Sequence, residues 1–412
     1  MMKQEQFAGM RARLMEQLQQ GVEWSDEAIL ERIDQLVSEA ARENRLPVSR
    51  REEIRRELFY SVRKLDILQE LLDDDRVTEI MVNGYQKIFV ERNGQKSRWE
   101  KSFVSREKLE DVVQQIAGKC NRVINENSPI VDARLENGSR VNAVIYPVAL
   151  DGPILTIRRF PDHAITMEDL IAKESITREA ATFLEHLVKA RYSILIGGGT
   201  SSGKTTFLNA LSNAIPHEER IITIEDSAEL QIQGVENLVR LEAKPANMEG
   251  NREITIRDLI RASLRMRPSR IIVGEVRGAE AFELLTCLNT GHDGSISTCH
   301  ANSTKDTVAR METMVLMNRE LPLQAIRRQI ASGVDIIVYL GRLRDKSRRI
   351  LEITEVTGME GEQVELNPLF LFRETGQISG RVCGIQEKTG VMKQIEKFQR
   401  AGIIYPRENS AS

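Results

Sequence analysis

Near the start of the chain, apolar residues recur at helical spacing. Ile29, Ile33, Leu36, Val37, Ala40 and Ala41 fall on one face of a helix. Ser25 is placed to cap it, with Asp26 and Glu27 in the first turn, where negative charge suits the helix dipole. A second helix is expected from the capping box Ser49-Arg50-Arg51-Glu52, with Ile54, Leu58, Val62, Leu65 and Leu72 on its apolar face. From Val77 the period drops to two. Thr78–Asn83 and Ile88–Glu91 read as short strands, punctuated by the turn dipeptides Asn83-Gly84 and Asn93-Gly94. A helix over Arg106–Lys119 follows. Val131, Ala133 and Leu135 then alternate with polar residues, Asn137-Gly138 turns the chain, Val141, Ala143 and Ile145 alternate again, and Ile154–Ile157 closes the unit.

Phe160 to Met167, containing Pro161, has no period and reads as a linker. Thr177 opens a helix, after which strands and helices alternate to about Leu340. That order predicts a mostly parallel sheet covered by helices on both faces, with ligands at the strand carboxyl ends. Ile350–Val356 and Val364–Phe372 predict an antiparallel pair, followed by a charged tail. The expected organisation is a helical segment (1–76), an α+β domain (77–160), a linker (161–176), an α/β domain (177–345), and C-terminal strands with a tail (346–412).

Composition narrows the classes. At 412 residues the chain is long for one core, and 41% hydrophobic with 29% charged residues describes a globular protein. A net charge of −3 and only 5% aromatic residues argue against a nucleic-acid binding platform. Cys120, Cys287, Cys299 and Cys383 are scattered without a C-x-x-C pair, which predicts reduced thiols and neither zinc nor a disulfide framework. No apolar stretch is long enough to span a membrane, and the first residues lack the apolar core of a signal peptide. A cytosolic chain that reaches the membrane only through a partner is expected.

The chemistry centres on Ile196–Leu208. Gly198-Gly199-Thr200-Ser201-Ser202-Gly203-Lys204-Thr205-Thr206 has the spacing of a phosphate-binding loop, with an apolar strand before it and helical spacing (Phe207, Leu208, Leu211) after it. The glycines let successive N–H groups turn inward on an anion, and the following helix aims its positive end at the same point. Lys204 supplies a cation for the β- and γ-phosphates, and the Thr205 hydroxyl can coordinate Mg²⁺. Three further segments look like active-site strand ends. One apolar run ends in Glu225-Asp226, a second in Gly274-Glu275-Val276-Arg277, and Gly291–His300 places glycines and hydroxyls around two of the five histidines. An acid at the end of an apolar strand is where P-loop enzymes keep Mg²⁺ and water-activating groups.

These residues resemble the type II/IV secretion (traffic) ATPases over roughly Val77 to Tyr339. I-T-I-E-D-S-A-E-L is similar to that family's Asp box, R-I-I-V-G-E-V-R-G to its atypical Walker B, and T-G-H-D-G-S-I-S-T-C-H-A-N-S to its His box. V-D-A-R-L-E-N-G-S-R-V-N-A-V-I and L-T-I-R-R-F resemble the N-terminal signatures of the CpaF/TadA branch, which assembles tight-adherence pili. The resemblance implies an α/β fold in which a RecA-like P-loop ATPase core is preceded by an α+β domain and a helical segment. It also implies a homo-hexamer that hydrolyses ATP with Mg²⁺ at the inner face of the cell membrane, driving a platform protein and, through it, pilin assembly.

Roles then carry over by position. The Gly198–Thr206 loop binds the phosphates. Thr205, Glu225 and Asp226 hold Mg²⁺, the two acids through its water shell or by sharing the water-activating role. Glu275 polarises the attacking water, and His300 senses the γ-phosphate. Arg140 and Arg158 match the arginines that reach that phosphate, with Arg134 and Arg159 weaker matches. The four-cysteine zinc insert usual in general-secretion ATPases is absent. Conjugation-type secretion ATPases share much of G-H-x-G-S and are the nearest competitor, and a nucleic-acid motor is the competing function.

Overall fold

The structure is a computed structural model that describes residues 4–18, 24–92, 94–160, 164–244, 253–317 and 320–405. Pro161 of the expected linker, Asn93 of the Asn93-Gly94 turn and the last seven residues of the tail lie outside these. The chain divides into two compact units, Met1–Asp162 and His163–Ser412.

The first unit opens with α1 (Gln4–Leu18), α2 (Asp26–Asn44) and α3 (Val48–Arg63). Met10, Leu14, Ile29, Ile33, Leu36, Ile54 and Leu58 form a core for these helices alone. Ser25 caps α2 as expected, accepting the Ala28 N–H at 3.2 Å. The Ser49 capping box is not formed. Pro47, already extended (φ −65°, ψ 157°), offers its carbonyl to the N–H groups of Arg50 and Arg51, so α3 starts one residue before Ser49. The expected long second helix is also two pieces. Lys64 is extended and Asp66 is left-handed (φ 53°), after which α4 (Leu68–Leu72) runs separately. Leu65, Leu68, Leu71 and Leu72 accordingly join the core of the sheet that follows.

That sheet contains β1 (Val77–Asn83), β2 (Ile88–Arg92), β3 (Gln95–Arg98), β4 (Ile130–Arg134), β5 (Arg140–Val144) and β6 (Ile154–Arg158), in the order β3-β2-β1-β6-β5-β4. One face packs against α5 (Arg106–Lys119) through Val131, Val141, Ala143, Leu155 and Ile157. The alternate residues of β4, β5 and β6 point the other way.

The second unit begins with α6 (Met167–Ala172) and α7 (Arg178–Lys189). The capping box of Thr166 and Asp169 starts α6 inside the stretch expected to be linker, and Met167, Leu170 and Ile176 are buried in the unit's core. There follow β7 (Ile194–Gly198), α8 (Lys204–Ser212), β8 (Ile221–Glu225), β9 (Leu238–Glu242), α9 (Ile256–Ser263), β10 (Arg270–Val276), α10 (Glu280–Leu288), β11 (Ile296–His300), α11 (Thr304–Leu316), α12 (Leu323–Gly333) and β12 (Ile336–Arg342). The strands β12-β7-β11-β10-β8-β9 are mutually parallel. Two buried clusters line opposite faces: Ile194, Ile196, Phe207 and Leu208 on one, Leu195, Ile222, Ile224, Ile271 and Val273 on the other. This alternation is what period two dictates for a sheet covered on both sides.

The C-terminal residues do not stand apart. β13 (Arg348–Glu360), β14 (Gln363–Ile378) and β15 (Arg381–Lys388) extend the same sheet antiparallel, making nine strands. The expected charged tail includes β15 and α13 (Glu396–Arg400), whose Phe398 packs on Tyr192 at 5.0 Å between ring centroids. Among the described residues no helix is long and apolar enough to cross a membrane, and all four cysteines are free.

Candidate active site

The parallel order places four strand ends side by side. β7 leads into the phosphate-binding loop, and the next strands in order, β11, β10 and β8, carry His300, Glu275 and Glu225 at their carboxyl ends. Gly203, left-handed at φ 96°, turns the loop into α8, and Lys204 is the first residue of that helix. The Lys204 side chain is buried. Its Nζ donates to the carbonyls of Gly198 (3.1 Å) and Gly199 (3.2 Å). It also lies 3.5 Å from Glu275 Oε1 and 3.4 Å from His300 Nδ1. Burial pulls the Lys204 pKa below the ordinary lysine value, although Glu275 pulls it back up.

Glu275 is the hub. Its Oε1 faces Lys204 and, at 3.1 Å, His300 Nε2, while its Oε2 accepts from Arg277 at 2.5–2.6 Å. The third nitrogen of Arg277, Nη1, donates to Asp226 Oδ2 at 3.1 Å, so one guanidinium joins the acids of β10 and the β8 end. Burial lowers the His300 pKa, which favours the neutral ring. With Lys204 as a donor to Nδ1, the two contacts assign the tautomer with its proton on Nε2, given to Glu275.

Glu225 is outside this cluster. Its Oε2 accepts the backbone N–H groups of Glu229 (2.7 Å) and Leu230 (3.0 Å), and its buried Oε1 makes no hydrogen bond. Burial pushes its pKa up to about 7, and the two N–H bonds only partly offset that. Gly274 is explained by the same side chain, because a Cβ there would sit 3.0 Å from Glu225 Cγ. Glu225 anchors the loop after β8, and Asp226 is the acid that faces Lys204's network.

Arg277 is the residue that sequence reasoning passed over. The signal was present, since positions two apart on a strand share a face, and Glu275 already marked which face mattered. Thr205 and Thr206 are half-buried in the first turn of α8; Thr200 and Ser201 are exposed at the top of the loop, and Ser202 is buried.

In the first unit, Arg134 faces Arg140 and Arg140 faces Arg158 in the strand register, so three arginines form a row on the face away from α5. Arg158 lies 3.6 Å from Glu79, and Arg140 lies 3.9 Å from Asp132. Arg159 points elsewhere, onto the Asp74 carbonyl and Asp75.

A family model described as type II/IV secretion system protein matches residues 62–408. The chain belongs to that family. It is 34% identical over 306 residues to the type IV secretion system protein VirB11 of Brucella suis, covering 67% of this chain and 84% of the relative. It is 32% identical over 305 residues to the conjugal transfer protein TrbB of Rhizobium radiobacter, covering 72% of this chain and 90% of the relative. Among solved structures, the ATPase DotB of Legionella pneumophila matches with a TM-score of 0.51 at 19% identity, over 70% of this chain and 79% of that one. That likeness is one of fold, an α/β core behind an N-terminal domain, as expected. As a member of this secretion family the chain is an ATP-hydrolysing enzyme.

Proposed function

We propose that the chain is a motor that couples ATP hydrolysis to pilus assembly or to type II/IV secretion. The observation that carries this reading is the meeting of Lys204, Glu275, His300, Arg277 and Asp226 at four adjacent strand ends. In this reading the Gly198–Thr206 backbone and Lys204 hold the phosphates. Glu275 polarises water, oriented by Arg277 through Oε2, and His300 meets the γ-phosphate. Mg²⁺ takes most of its ligands from phosphate and water, so one helix-start hydroxyl, Thr205, suffices as the protein ligand, with Asp226 reaching it through water. Arg140 and Arg158 would bring their always-charged planar groups to the γ-phosphate.

The working form would be a homo-hexamer at the cytoplasmic face of the membrane, acting on a platform protein and indirectly on pilin. Val131–Ile145 and Leu155–Phe160 favour the CpaF/TadA branch. A second reading, conjugation-type secretion, is favoured by relatives named for type IV secretion and conjugal transfer. The test is phosphate release from Mg–ATP by the purified chain, with its mass in solution and with added single- or double-stranded DNA. Hydrolysis by a species six times the chain mass, indifferent to DNA, is expected. A monomer without hydrolysis overturns the motor, and salt-sensitive stimulation by DNA moves it to the nucleic-acid class.

A further inference from the structure

The sheet continues past the phosphate-binding loop on one side. Gly198, the last residue of β7, pairs with Leu340 of β12, and β12 runs two residues further before the chain reverses. On the returning strand β13, Arg348 pairs with Arg342, so this hairpin reaches beyond the end of β7 beside the loop. The reversal is built firmly. Asp345 accepts the N–H and hydroxyl of Ser347 through one oxygen (2.9 and 2.6 Å) and the Val382 N–H through the other (2.8 Å). Lys346 takes the left-handed conformation (φ 69°) that closes the turn.

Arg348 crosses from this hairpin to the loop. Its Nε donates to the Ser201 carbonyl at 3.0 Å. Ser201 is the loop's one non-glycine residue described at positive φ (58°), so its backbone must be held there by its surroundings. The same peptide is held at its other end, where the Ser202 N–H donates to the Gly199 carbonyl at 3.3 Å. The aliphatic stem also matters: a Cβ on Gly203 would come within 3.3 Å of Arg348 Cδ. Gly203 is therefore fixed twice, by its φ of 96° and by an arginine from the far strand of the hairpin.

We propose that Arg348 is a nucleotide-site positioning residue: by fastening the Ser201 carbonyl it holds the top of the phosphate-binding loop in its anion-accepting shape. The inference rests on the nucleotide reading of that loop. A loop shaped this way grips the phosphates common to ATP and ADP, so the contribution is to binding of both nucleotides, and its loss falls on KM more than on kcat.

The test uses the full chain with Arg348→Ala and Arg348→Lys. ADP affinity is measured by calorimetry, KM and kcat for Mg–ATP by phosphate release, and melting temperature on the same samples. One charge-assisted hydrogen bond in a half-open site corresponds to about tenfold. Arg348→Ala should weaken ADP and raise KM by about that factor, with a smaller change in kcat, and Arg348→Lys should recover part of the loss. Arg344→Ala, on the same hairpin but paired with Glu374, is the control. Wild-type ADP affinity and KM in Arg348→Ala would overturn the proposal, as would an equal loss in Arg344→Ala, which would assign the effect to the hairpin as a whole. Lys204→Ala separates the two levels: if it too binds ADP normally, the nucleotide reading itself fails.

Discussion

Glu225→Gln asks whether the acid at the end of β8 is an anchor or a catalyst. Glu225 is buried, its carboxyl lifted from 4.5 to about 7 chiefly by burial. A group whose folded-state pKa lies above its unfolded value contributes stability that is full below the unfolded pKa and lost as pH rises through the folded one. For Glu225 the window runs from 4.5 to about 7, and holding the ionised group in the folded state above it costs about 3 kcal/mol. Glutamine keeps an oxygen for the Glu229 and Leu230 N–H groups but cannot ionise. At about 2–4 °C per kcal/mol for a unit of this size, wild type should lose about 6–12 °C relative to the variant between pH 5 and pH 8. The assay is thermal unfolding of both proteins across that range, with phosphate release at pH 7.5. Parallel melting curves would refute the burial-raised pKa of Glu225. A fall in turnover of about 10² or more would return it to the water-activating machinery.

Lys204→Ala should weaken ADP binding by at least ~100-fold in a calorimetric titration, since it removes charge-assisted bonds to the phosphates. Its melting temperature should hold within a few degrees, because burial already disfavours the Lys204 charge. Glu275→Gln should still bind ATP yet release phosphate about 10²–10⁴-fold more slowly in single-turnover assays. Arg140→Ala and Arg158→Ala should each lower turnover, by as much as about 10³–10⁵-fold if they meet the γ-phosphate. Neither should lower the melting temperature, because the partly exposed pairs they make are worth about 0–1 kcal/mol and two like charges face each other across the strands.

What could be read without coordinates follows from where apolar burial imposes a period. The helix Arg106–Lys119 matched to the residue, because Ser105 caps it and Leu109, Val112, Val113 and Ile116 keep one buried face. The central strands were legible as apolar runs for the same reason. Gln95–Arg98 and Leu238–Glu242 were missed because they are edge strands whose side chains are exposed or only half-buried. The break at Asp66 was hidden because Leu65 and Leu72 keep helical spacing from Leu58 while packing into a different core. In the site, motif spacing brought forward Lys204, Glu275 and His300, whose side chains meet. It could not separate Glu225 from Asp226. Adjacent residues at a strand end face opposite ways, and only the position of β10 beside β8 decides which of them reaches Arg277.

The charges around Lys204 bear on what else the reaction needs. Lys204 and Arg277 are positive, Glu275 and Asp226 are negative, and His300 favours its neutral form, so the cluster's charges cancel. A triphosphate remains negative even with Mg²⁺ bound, and a buried surplus of one sign is costly. Binding must therefore either release Lys204 and Arg277 from their carboxylates or recruit cations from outside the cluster. Release alone is self-defeating, because freeing Arg277 from Glu275 leaves an unpaired carboxylate beside the incoming phosphate. Arg348 already lies against the loop, which puts one such cation in the same unit as Lys204.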